Sequence, residues 1–303
     1  MKITVFGGSG FLGSHVCDKL SEAGHDILIF DRVASPWLRS DQTMMVGDIL
    51  DENAVKKAVA GAHIVFNFAG IADIGEANQR PPDTVKYNIL GNTFILEACI
   101  AAEIERYVFS SSVYVYSDAG GFYRCSKQAC ELYIENYHSI HGLEYTILRY
   151  GSLYGPRADE NNAIYRFTKQ ALQEKKISYY GNPDSMREYI HVEDAARISV
   201  EILKPEYANE HIVLTGHQTM RVDNLFKMIG EILGNNLKLE YEKRQDSGHY
   251  IMSPYSFNTK IGKKLTPALH VDLGQGLLRV IEEQYKKLNP DVKLNKGFFV
   301  REN

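Results

Sequence analysis

Two residues at helical spacing and a run of serines are the groups in this sequence best suited to chemistry. Tyr123 and Lys127 stand four positions apart in a stretch with helical periodicity, so their side chains share one face of the predicted helix. A tyrosine accepts a proton from an alcohol near neutral pH only if its phenolate is stabilised, and a neighbouring ammonium group does this. Ser112 ends a predicted strand and can hydrogen-bond the same alcohol. Tyrosine and lysine also share a helix face by chance, so the pair alone does not identify a site.

A glycine-rich turn near residue 10 predicts a phosphate-binding site. Gly7, Gly10 and Gly13 follow an apolar run typical of a buried strand and open a segment whose apolar residues recur at helical spacing. They permit a tight turn, close approach of a pyrophosphate to the backbone, and close packing of helix on strand. The start of the helix then presents its N–H groups and the positive end of its dipole to the phosphates. An ordinary strand-to-helix connection is the alternative for the triad alone.

An acidic residue at the end of the second predicted strand favours a dinucleotide as the ligand. Asp31 follows the run 26–30 and lies about twenty positions beyond the glycines, where a carboxylate accepts hydrogen bonds from an adenosine ribose. Such a carboxylate repels a 2′-phosphate, which favours NAD over NADP. Arg32 is the counter-argument, because an arginine there can accommodate that phosphate.

Alternating strands and helices follow, as expected of a parallel sheet covered by helices. Strands are predicted at 44–46, 62–68 and 106–109, and helices at 52–60, 83–102 and 123–141. Ala69 and Gly70 leave room for a ligand at the carboxyl edge of the sheet, where open parallel sheets bind ligands. Asp48 and Ile49 are candidates for the adenine side of that site, with a solvated turn as the alternative.

Composition and charge exclude several classes of partner. The chain has 303 residues, a formal net charge of −4 and no long run of one sign, so neither nucleic acid nor a membrane surface is an expected partner. We find no signal-peptide pattern and no apolar stretch long enough to span a bilayer, which predicts a cytoplasmic protein. Cys17, Cys99, Cys125 and Cys130 show no CxxC pairing and no histidine at metal spacing, so free thiols and no metal site are expected.

Further motifs extend these features over essentially the whole chain. They are Asn67 to Gly70, Asn88 to Gly91, Ser110 to Tyr116, Leu148 to Arg157 and Arg187 to Asp194, and then Arg244, Asp246, Phe257 to Lys260, Leu265, Pro267 and 276–278. In this order the chain resembles the extended short-chain dehydrogenases/reductases, specifically the nucleotide-sugar epimerase/dehydratase family of the UDP-glucose 4-epimerase type. The resemblance implies an α/β fold: a Rossmann-type doubly wound parallel sheet with a smaller C-terminal α/β substrate domain. The implied domains are residues 1–152 for NAD, with about 188–215 returning to them, and 153–303 for a nucleotide-diphosphate sugar.

The resemblance also implies a role for individual residues. Ser112, rather than Ser111, would be catalytic together with Tyr123 and Lys127. Arg187 would meet the substrate's diphosphate, with a surface salt bridge to Glu188 or Asp184 as the alternative. The full NAD-binding set is Gly7, Ser9, Gly10, Phe11, Leu12, Gly13, Asp31, Arg32, Asp48, Ile49, Phe68, Ala69, Gly70, Ser110, Tyr123, Lys127 and Tyr150, and the substrate-binding set is Ser112, Ser152, Arg187 and Arg244, with Arg244 over the nucleoside ribose.

Three departures from the family pattern bear on the reaction. Ser152 stands where the family usually has asparagine, so one contact to the substrate is weakened or replaced. Only eleven positions separate Ser112 from Tyr123, which removes a loop that normally crosses above the sugar. Val113 and Tyr114 occupy the places of the Asp-Glu pair with which a 4,6-dehydratase expels water, so dehydration ranks low.

The sequence therefore predicts an NAD-dependent oxidation of a secondary alcohol, at C4, of a nucleotide-activated sugar, first of all by an NDP-sugar 4-epimerase. An NDP-sugar 4-dehydrogenase or ketoreductase that releases the keto product shares every residue named and stays open. A non-catalytic NAD(P)-binding redox sensor would not need Ser112, Tyr123 and Lys127 together. The resemblance further implies a homodimer formed by the helices near 83–102 and 123–141, and a part in polysaccharide biosynthesis.

Overall fold

An eight-stranded parallel sheet forms the centre of the structure, a computed structural model that describes residues 1–217, 219–234, 237–242, 263–265 and 269–289. Its strand order is β13-β10-β6-β5-β4-β1-β2-β3. Two smaller sheets, β11-β9-β7 and β12-β8, lie outside it. The strands are β1 (Lys2–Phe6), β2 (Asp26–Asp31), β3 (Gln42–Val46), β4 (Ile64–Asn67), β5 (Arg106–Ser112), β6 (Glu144–Tyr150), β7 (Ser152–Tyr154), β8 (Lys176–Tyr180), β9 (Met186–His191), β10 (Glu210–Leu214), β11 (Thr219–Arg221), β12 (Lys238–Glu242) and β13 (Lys263–Leu265).

Helices cover both faces of the central sheet. They are α1 (Phe11–Glu22), α2 (Glu52–Val59), α3 (Ile74–Gln79), α4 (Pro81–Thr84), α5 (Gly91–Ala101), α6 (Gly121–His141), α7 (Ala163–Glu174), α8 (Val192–Glu201), α9 (Val222–Ile232) and α10 (Leu273–Leu288). One apolar layer lies under α1 and α8 and includes Ile3 and Val5 of β1, whereas Phe6 of the same strand belongs to the layer under α2 and α5. Because both faces of each central strand are buried, the strands read as continuous apolar runs.

A third apolar cluster holds the second part of the chain together. It joins Tyr154 of β7, Ile164 of α7, Phe226 of α9 and Leu277 of α10. The helices α7, α9 and α10 therefore pack against the small sheets and not against the central sheet alone. The predicted α/β fold class, a doubly wound parallel sheet with a smaller C-terminal part, is confirmed.

Two details of the chain path bear on the predicted elements. The helix predicted at 83–102 consists of α4, a π-helical turn at Val85–Leu90, and α5. Strand β10, and β13 beyond it, join the central sheet next to β6. The division into domains at residue 152 stays a prediction.

Three observations concern the thiols, membrane-spanning helices and metal sites. Cys17, Cys99 and Cys130 are buried free thiols, and Cys125 is an exposed one. Within the described ranges, no helix combines the length and the apolar character needed to cross a bilayer. In the same part of the chain, no cluster of three or more histidine, cysteine or acidic side chains has the arrangement of a metal site.

Candidate active site

Ser112, Tyr123 and Lys127 come together at the carboxyl end of β5. Ser112 is the last residue of that strand, and the first two turns of α6 carry the other two residues across from it. A side-chain hydrogen bond joins Tyr123 to Ser112. Lys127 Nζ donates to the carbonyl oxygen of Ser110 at 2.7 Å and lies 5.7 Å from the centre of the Tyr123 ring. The three side chains thus form one cluster of phenol, hydroxyl and amine.

Burial sets the protonation states in this cluster. It raises the pKa of Tyr123 to about 12, and the hydrogen bond with Ser112 opposes that rise. It lowers the pKa of Lys127 to about 8, whereas Cys130 and Glu131 act to raise it. Since an opposite charge favours the phenolate, an additional cationic group beside the phenol would bring Tyr123 closer to acting as a base at neutral pH.

The three serines at the end of β5, Ser110 to Ser112, have different hydrogen-bond partners. The carbonyl oxygen of Ser110 holds Lys127. Ser111 Oγ donates to Glu131 Oε1 at 2.5 Å in the interior. Ser112 Oγ accepts a hydrogen bond from the Tyr114 backbone N–H at 3.3 Å and bonds to Tyr123. Ser111 is thus engaged away from Tyr123, and the catalytic role of Ser112 stays a prediction.

The short connection between Ser112 and Tyr123 is a tightly held turn. A 3-10 helix at Val113–Tyr116 follows the strand, and Gly120 and Gly121 precede α6 with φ of 98° and 51°. A Cβ atom on Gly121 would lie 2.1 Å from Asn78 Oδ1, so a side chain there would displace Asn78 and would be strained by the positive φ. The Tyr114 ring stands edge-on to the Tyr123 ring, with 6.3 Å between the ring centres. An aromatic wall thus lies beside the phenol.

The turn that contains Gly7, Gly10 and Gly13 forms a cradle, meaning a concave stretch of backbone whose space side chains at these positions would fill. A Cβ on Gly7, whose φ is 76°, would lie 2.6 Å from the backbone nitrogen of Ala69. A Cβ on Gly13 would lie 2.2 Å from the carbonyl oxygen of Gly7. Helix α1 begins after Gly10 without a side-chain cap, so its first N–H groups face the turn. This arrangement fits a pyrophosphate at the start of α1.

The end of β2 supplies the carboxylate expected beside the cradle. Asp31 accepts hydrogen bonds from the backbone N–H groups of Ser9, at 3.0 Å, and Val33, at 3.3 Å. The Arg32 guanidinium lies 4.9 Å from the centre of the Tyr87 ring. A cavity of about 160 Å³ opens here, and its lining combines the predicted residues Gly7, Gly10, Asp31, Arg32, Ile49, Phe68, Ala69 and Gly70 with Phe30, Gly47, Ile71 and Tyr87, which the sequence did not single out.

Several predicted NAD-binding residues have other partners in this structure. Tyr150 donates or accepts a 2.6 Å hydrogen bond with Ser199 Oγ and is buried in the core. The Asp48 carboxylate accepts from the Leu50 N–H at 2.9 Å, as in a turn. Leu12 is buried, and the Phe11 ring packs edge-on to the ring of His15. The NAD contacts of these residues stay predictions.

Apart from Ser112 on β5, the described residues of the predicted substrate-binding set lie on the small three-stranded sheet. Ser152 is half-buried at the start of β7 and is paired in register with Tyr189 of β9. Arg187 on β9 is only 7% exposed, and its guanidinium donates to the Met186 carbonyl oxygen at 2.9 Å, so it is not a surface residue. Asp184 pairs with Arg221. Arg244 and the motifs at Asp246, Phe257 to Lys260 and Pro267 lie outside the described residues.

Two networks behind the site were not predicted. Glu131 of α6 forms a buried ion pair with Arg149 of β6, with Oε2 and Nη2 2.6 Å apart. Asn88 accepts from the Ile71 N–H at 2.7 Å and donates to Ser126 Oγ at 2.9 Å, which ties the loop after β4 to α6. The sequence offers one sign of the Glu131–Arg149 pair, because Arg149 is a charged residue within the otherwise uncharged stretch 145–150.

Known proteins share this fold and sequence pattern. Residues 3–215 match the model of the NAD dependent epimerase/dehydratase family. A provisionally named UDP-glucose 4-epimerase of Methanocaldococcus jannaschii is 28% identical over 301 residues, covering 92% of this chain and 97% of that protein. The crystal structure of a UDP-glucose 4-epimerase of Thermotoga maritima with UDP-glucose superimposes with a TM-score of 0.84 and 27% identity, covering 95% of this chain and 100% of that one.

Relatives with other reactions also match. A dTDP-glucose 4,6-dehydratase of an Actinoplanes species is 27% identical over 230 residues, which cover 65% of this chain and 71% of that protein. Overall sequence similarity therefore does not distinguish an epimerase from a dehydratase. The distinction has to be drawn from the side chains beside Ser112.

Proposed function

We propose that this chain, which belongs to the NAD dependent epimerase/dehydratase family, is an NDP-sugar 4-epimerase. NAD is the cofactor of that family. The observation that carries the proposal is the convergence of Ser112, Tyr123 and Lys127 at the sheet edge that also holds the glycine cradle. The relatives named above act on UDP- and dTDP-sugars, and we propose a UDP-hexose as the substrate.

The chain's own residues fit NAD. Gly7, Gly10 and Gly13 leave room for the pyrophosphate against the backbone, and the uncapped start of α1 presents N–H groups to it. Asp31, fixed by two backbone N–H groups, would accept hydrogen bonds from the adenosine ribose and repel a 2′-phosphate. NAD rather than NADP is therefore the proposed form.

Each catalytic side chain has a distinct task in the proposed reaction. Tyr123 takes the proton of the C4 hydroxyl, and Ser112 hydrogen-bonds the same oxygen and orients it. Lys127 contributes the positive charge that favours the Tyr123 phenolate and is held in place by the Ser110 carbonyl. The chemistry that NAD supplies when bound is reversible hydride transfer at C4. If the 4-keto sugar rotates in the site, so that the hydride would come back to the opposite face of C4 while Tyr123 returns the proton to the C4 oxygen, the product is the C4 epimer.

A dehydrogenase or ketoreductase would use the same residues, so the products have to distinguish them. A dehydratase is disfavoured because Val113 is buried and apolar and the Tyr114 ring packs on Tyr123, where that reaction needs an acid and a base. A redox sensor without catalysis would leave the three-residue cluster without a use.

We expect the purified protein with NAD to convert a UDP-hexose into its C4 epimer without accumulating reduced cofactor. The measurement is incubation with UDP-, GDP-, CDP- and dTDP-sugars while nicotinamide absorbance and product stereochemistry are followed. A keto product formed with stoichiometric reduced cofactor would instead identify a dehydrogenase. No turnover of any nucleotide sugar would overturn the proposal.

We propose that the enzyme is a homodimer formed through the outer face of α6. Leu132 and Ile140 on that face are 60% and 73% exposed. A groove of about 450 Å³ on the same face is lined by Tyr133, Asn136, Tyr137, Ile140 and His141. Apolar residues Val85 and Leu90, in the adjoining helical stretch, are exposed as well. Exposed apolar patches of this kind mark interaction surfaces. A cytoplasmic location and a part in polysaccharide biosynthesis stay predictions.

A charge on this face should separate the subunits. We expect Ile140→Asp to shift the protein from dimer to monomer in analytical ultracentrifugation at micromolar concentration, because the carboxylate would be buried in an apolar interface. Leu288→Asp, at an exposed apolar position at the end of α10 (42% exposed), is the control and should leave the dimer intact. A wild-type monomer would contradict the proposal.

A further inference from the structure

A buried ion pair lies directly behind the three catalytic side chains. Glu131 Oε2 and Arg149 Nη2 are 2.6 Å apart, and Arg149 Nε donates to Glu131 Oε1 at 3.0 Å. Ser111 Oγ donates to the same Oε1 at 2.5 Å, and Arg149 Nη1 donates to the Tyr116 hydroxyl at 2.5 Å. Arg149 is 1% exposed and Glu131 5% exposed. The cluster joins β5, α6, β6 and the turn after Ser112.

Stability alone does not explain charges at this depth. Removing two ions from water costs several kcal/mol each, and an apolar pair of similar volume is often at least as stable. The cluster is placed where the strand that ends in Ser112 meets the helix that carries Tyr123 and Lys127. Its position therefore indicates a role in the reaction centre.

Glu131 and Lys127 are four residues apart on α6, so they share a helix face. Lys127 itself is 7% exposed and is held by the Ser110 carbonyl at 2.7 Å. A buried ammonium group loses its charge readily unless a negative charge is close to it. Burial raises the pKa of the Cys130 thiol to about 12, so that neighbour is neutral where Lys127 titrates.

We propose that Glu131, fixed by Arg149 and Ser111, is a positioning residue for the reaction, because it supplies the negative charge behind Lys127 and locks α6 against the strand that carries Ser112. The inference deepens the proposed function and rests on it. Glu131 touches neither substrate nor cofactor in this assignment and acts through Lys127.

Other charged groups around Lys127 are already engaged or distant along the helix. From β5 come the Ser110 carbonyl and the Phe109 ring, with Nζ 4.8 Å from the ring centre. From the π-helical turn comes the Asn88 carbonyl, which accepts from the Cys130 thiol. Elsewhere on the elements packed against α6, Arg106 pairs with Glu144, and Arg80 pairs with Glu76 and Asp83. Lys86 is exposed, and Glu97 accepts a hydrogen bond from Tyr137. The hydroxyls of Tyr107 and Tyr150 bond to Asn92 and Ser199, the Tyr145 ring packs edge-on to His211, and the Tyr116 hydroxyl belongs to the ion-pair cluster itself.

The sign of the expected shift follows from the charge removed. Glu131 favours the ammonium form of Lys127, so Glu131→Gln should lower the Lys127 pKa further below its ordinary value. The ammonium form is present below that pKa and is lost as the pH rises through it. The alkaline limb of activity should therefore move to lower pH by about one unit, while KM for the sugar changes little.

The decisive experiment titrates Lys127 directly by NMR in protein labelled with ¹³C at the lysine ε-carbon. The Lys127 signal is assigned by its loss in Lys127→Arg. We expect a wild-type midpoint near pH 8 and a midpoint about one unit lower in Glu131→Gln. Glu135→Gln is the matched control, one turn further along α6, where the carboxylate pairs with His211. Its Lys127 midpoint should equal that of the wild type.

An unchanged midpoint in Glu131→Gln would overturn the proposal. If Glu131→Gln does not fold, Glu131→Asp replaces it, because this variant keeps the negative charge but shortens the side chain by one methylene. We expect it to lower the Lys127 midpoint by a smaller amount. An unchanged midpoint in Glu131→Asp would likewise overturn the proposal. The titration needs no substrate or cofactor, so it decides the inference even if no nucleotide sugar is turned over. If the protein turns over a nucleotide sugar, the alkaline limb of its kcat against pH should follow the Lys127 midpoint. A limb that does not follow it would count against the role of Glu131 in the reaction.

Discussion

Replacing Tyr123 by phenylalanine is expected to reduce kcat about a thousandfold or more, which is the usual contribution of a positioned proton acceptor. The substitution removes the hydroxyl that bonds to Ser112 and leaves the ring that packs on Tyr114. Steady-state turnover of the active nucleotide sugar, together with NAD binding by calorimetry, checks it. The affinity for NAD should stay near that of the wild type, because the cradle lies in a different part of the sheet edge.

Tyr133→Phe is the matched control for that substitution. Tyr133 lies on the same helix but on its outer face, which is proposed to form the dimer, and its side chain is about half exposed in the single chain. Loss of its hydroxyl should leave kcat unchanged. If Tyr123→Phe kept most of the wild-type kcat, the assignment of the base would be wrong.

The substitution Gly13→Ala should weaken NAD binding at least about a hundredfold, or about 2.7 kcal/mol. The added Cβ would lie 2.2 Å from the Gly7 carbonyl oxygen and 3.0 Å from the Gly8 Cα. Since these are backbone atoms, α1 has to move away from the turn, and the pyrophosphate loses its N–H donors. Calorimetric titration with NAD measures the effect, and circular dichroism shows whether the fold is kept.

Gly24→Ala, just beyond the other end of α1, is the control for the same change of side chain. Gly24 has φ of 83° but nothing within 4 Å of an added Cβ. The variant should lose about 1 kcal/mol of stability from backbone strain and should keep its NAD affinity. Equal NAD affinities for Gly13→Ala and the wild type would show that the dinucleotide does not bind at this turn.

Local patterns were sufficient to predict the cofactor side of the site. The apolar run before Gly7, the glycine spacing and the terminal Asp31 each reflect a short-range requirement of backbone geometry or charge, and β1, α1 and β2 form as predicted. The four-residue spacing of Tyr123 and Lys127 likewise follows from helix geometry alone. Ser112 was chosen over Ser111 from a resemblance, and its role stays a prediction; what the sequence did not indicate is that Ser111 is bound to Glu131.

Features that depend on distant partners escaped prediction. The Glu131–Arg149 pair joins a helix and a strand, and no local rule states which buried carboxylate a strand arginine will meet. Within the π-helical turn at Val85–Leu90, Asn88 bonds to Ile71 and Ser126 at once, and both partners are distant in the sequence. Tyr150 ends a strand at the expected edge, yet the direction of its hydroxyl toward Ser199 is set by the packing of α8.

The order of strands in the central sheet has a consequence for synthesis on the ribosome. β6 is made long before β10, which pairs with it, and β13 completes the sheet only after residue 262. Until then the nascent chain presents an open strand edge that can pair with other chains. A gene truncated near residue 152 would leave that edge permanently bare, so the sheet that carries the glycine turn is complete only after β10 and β13 have been synthesised.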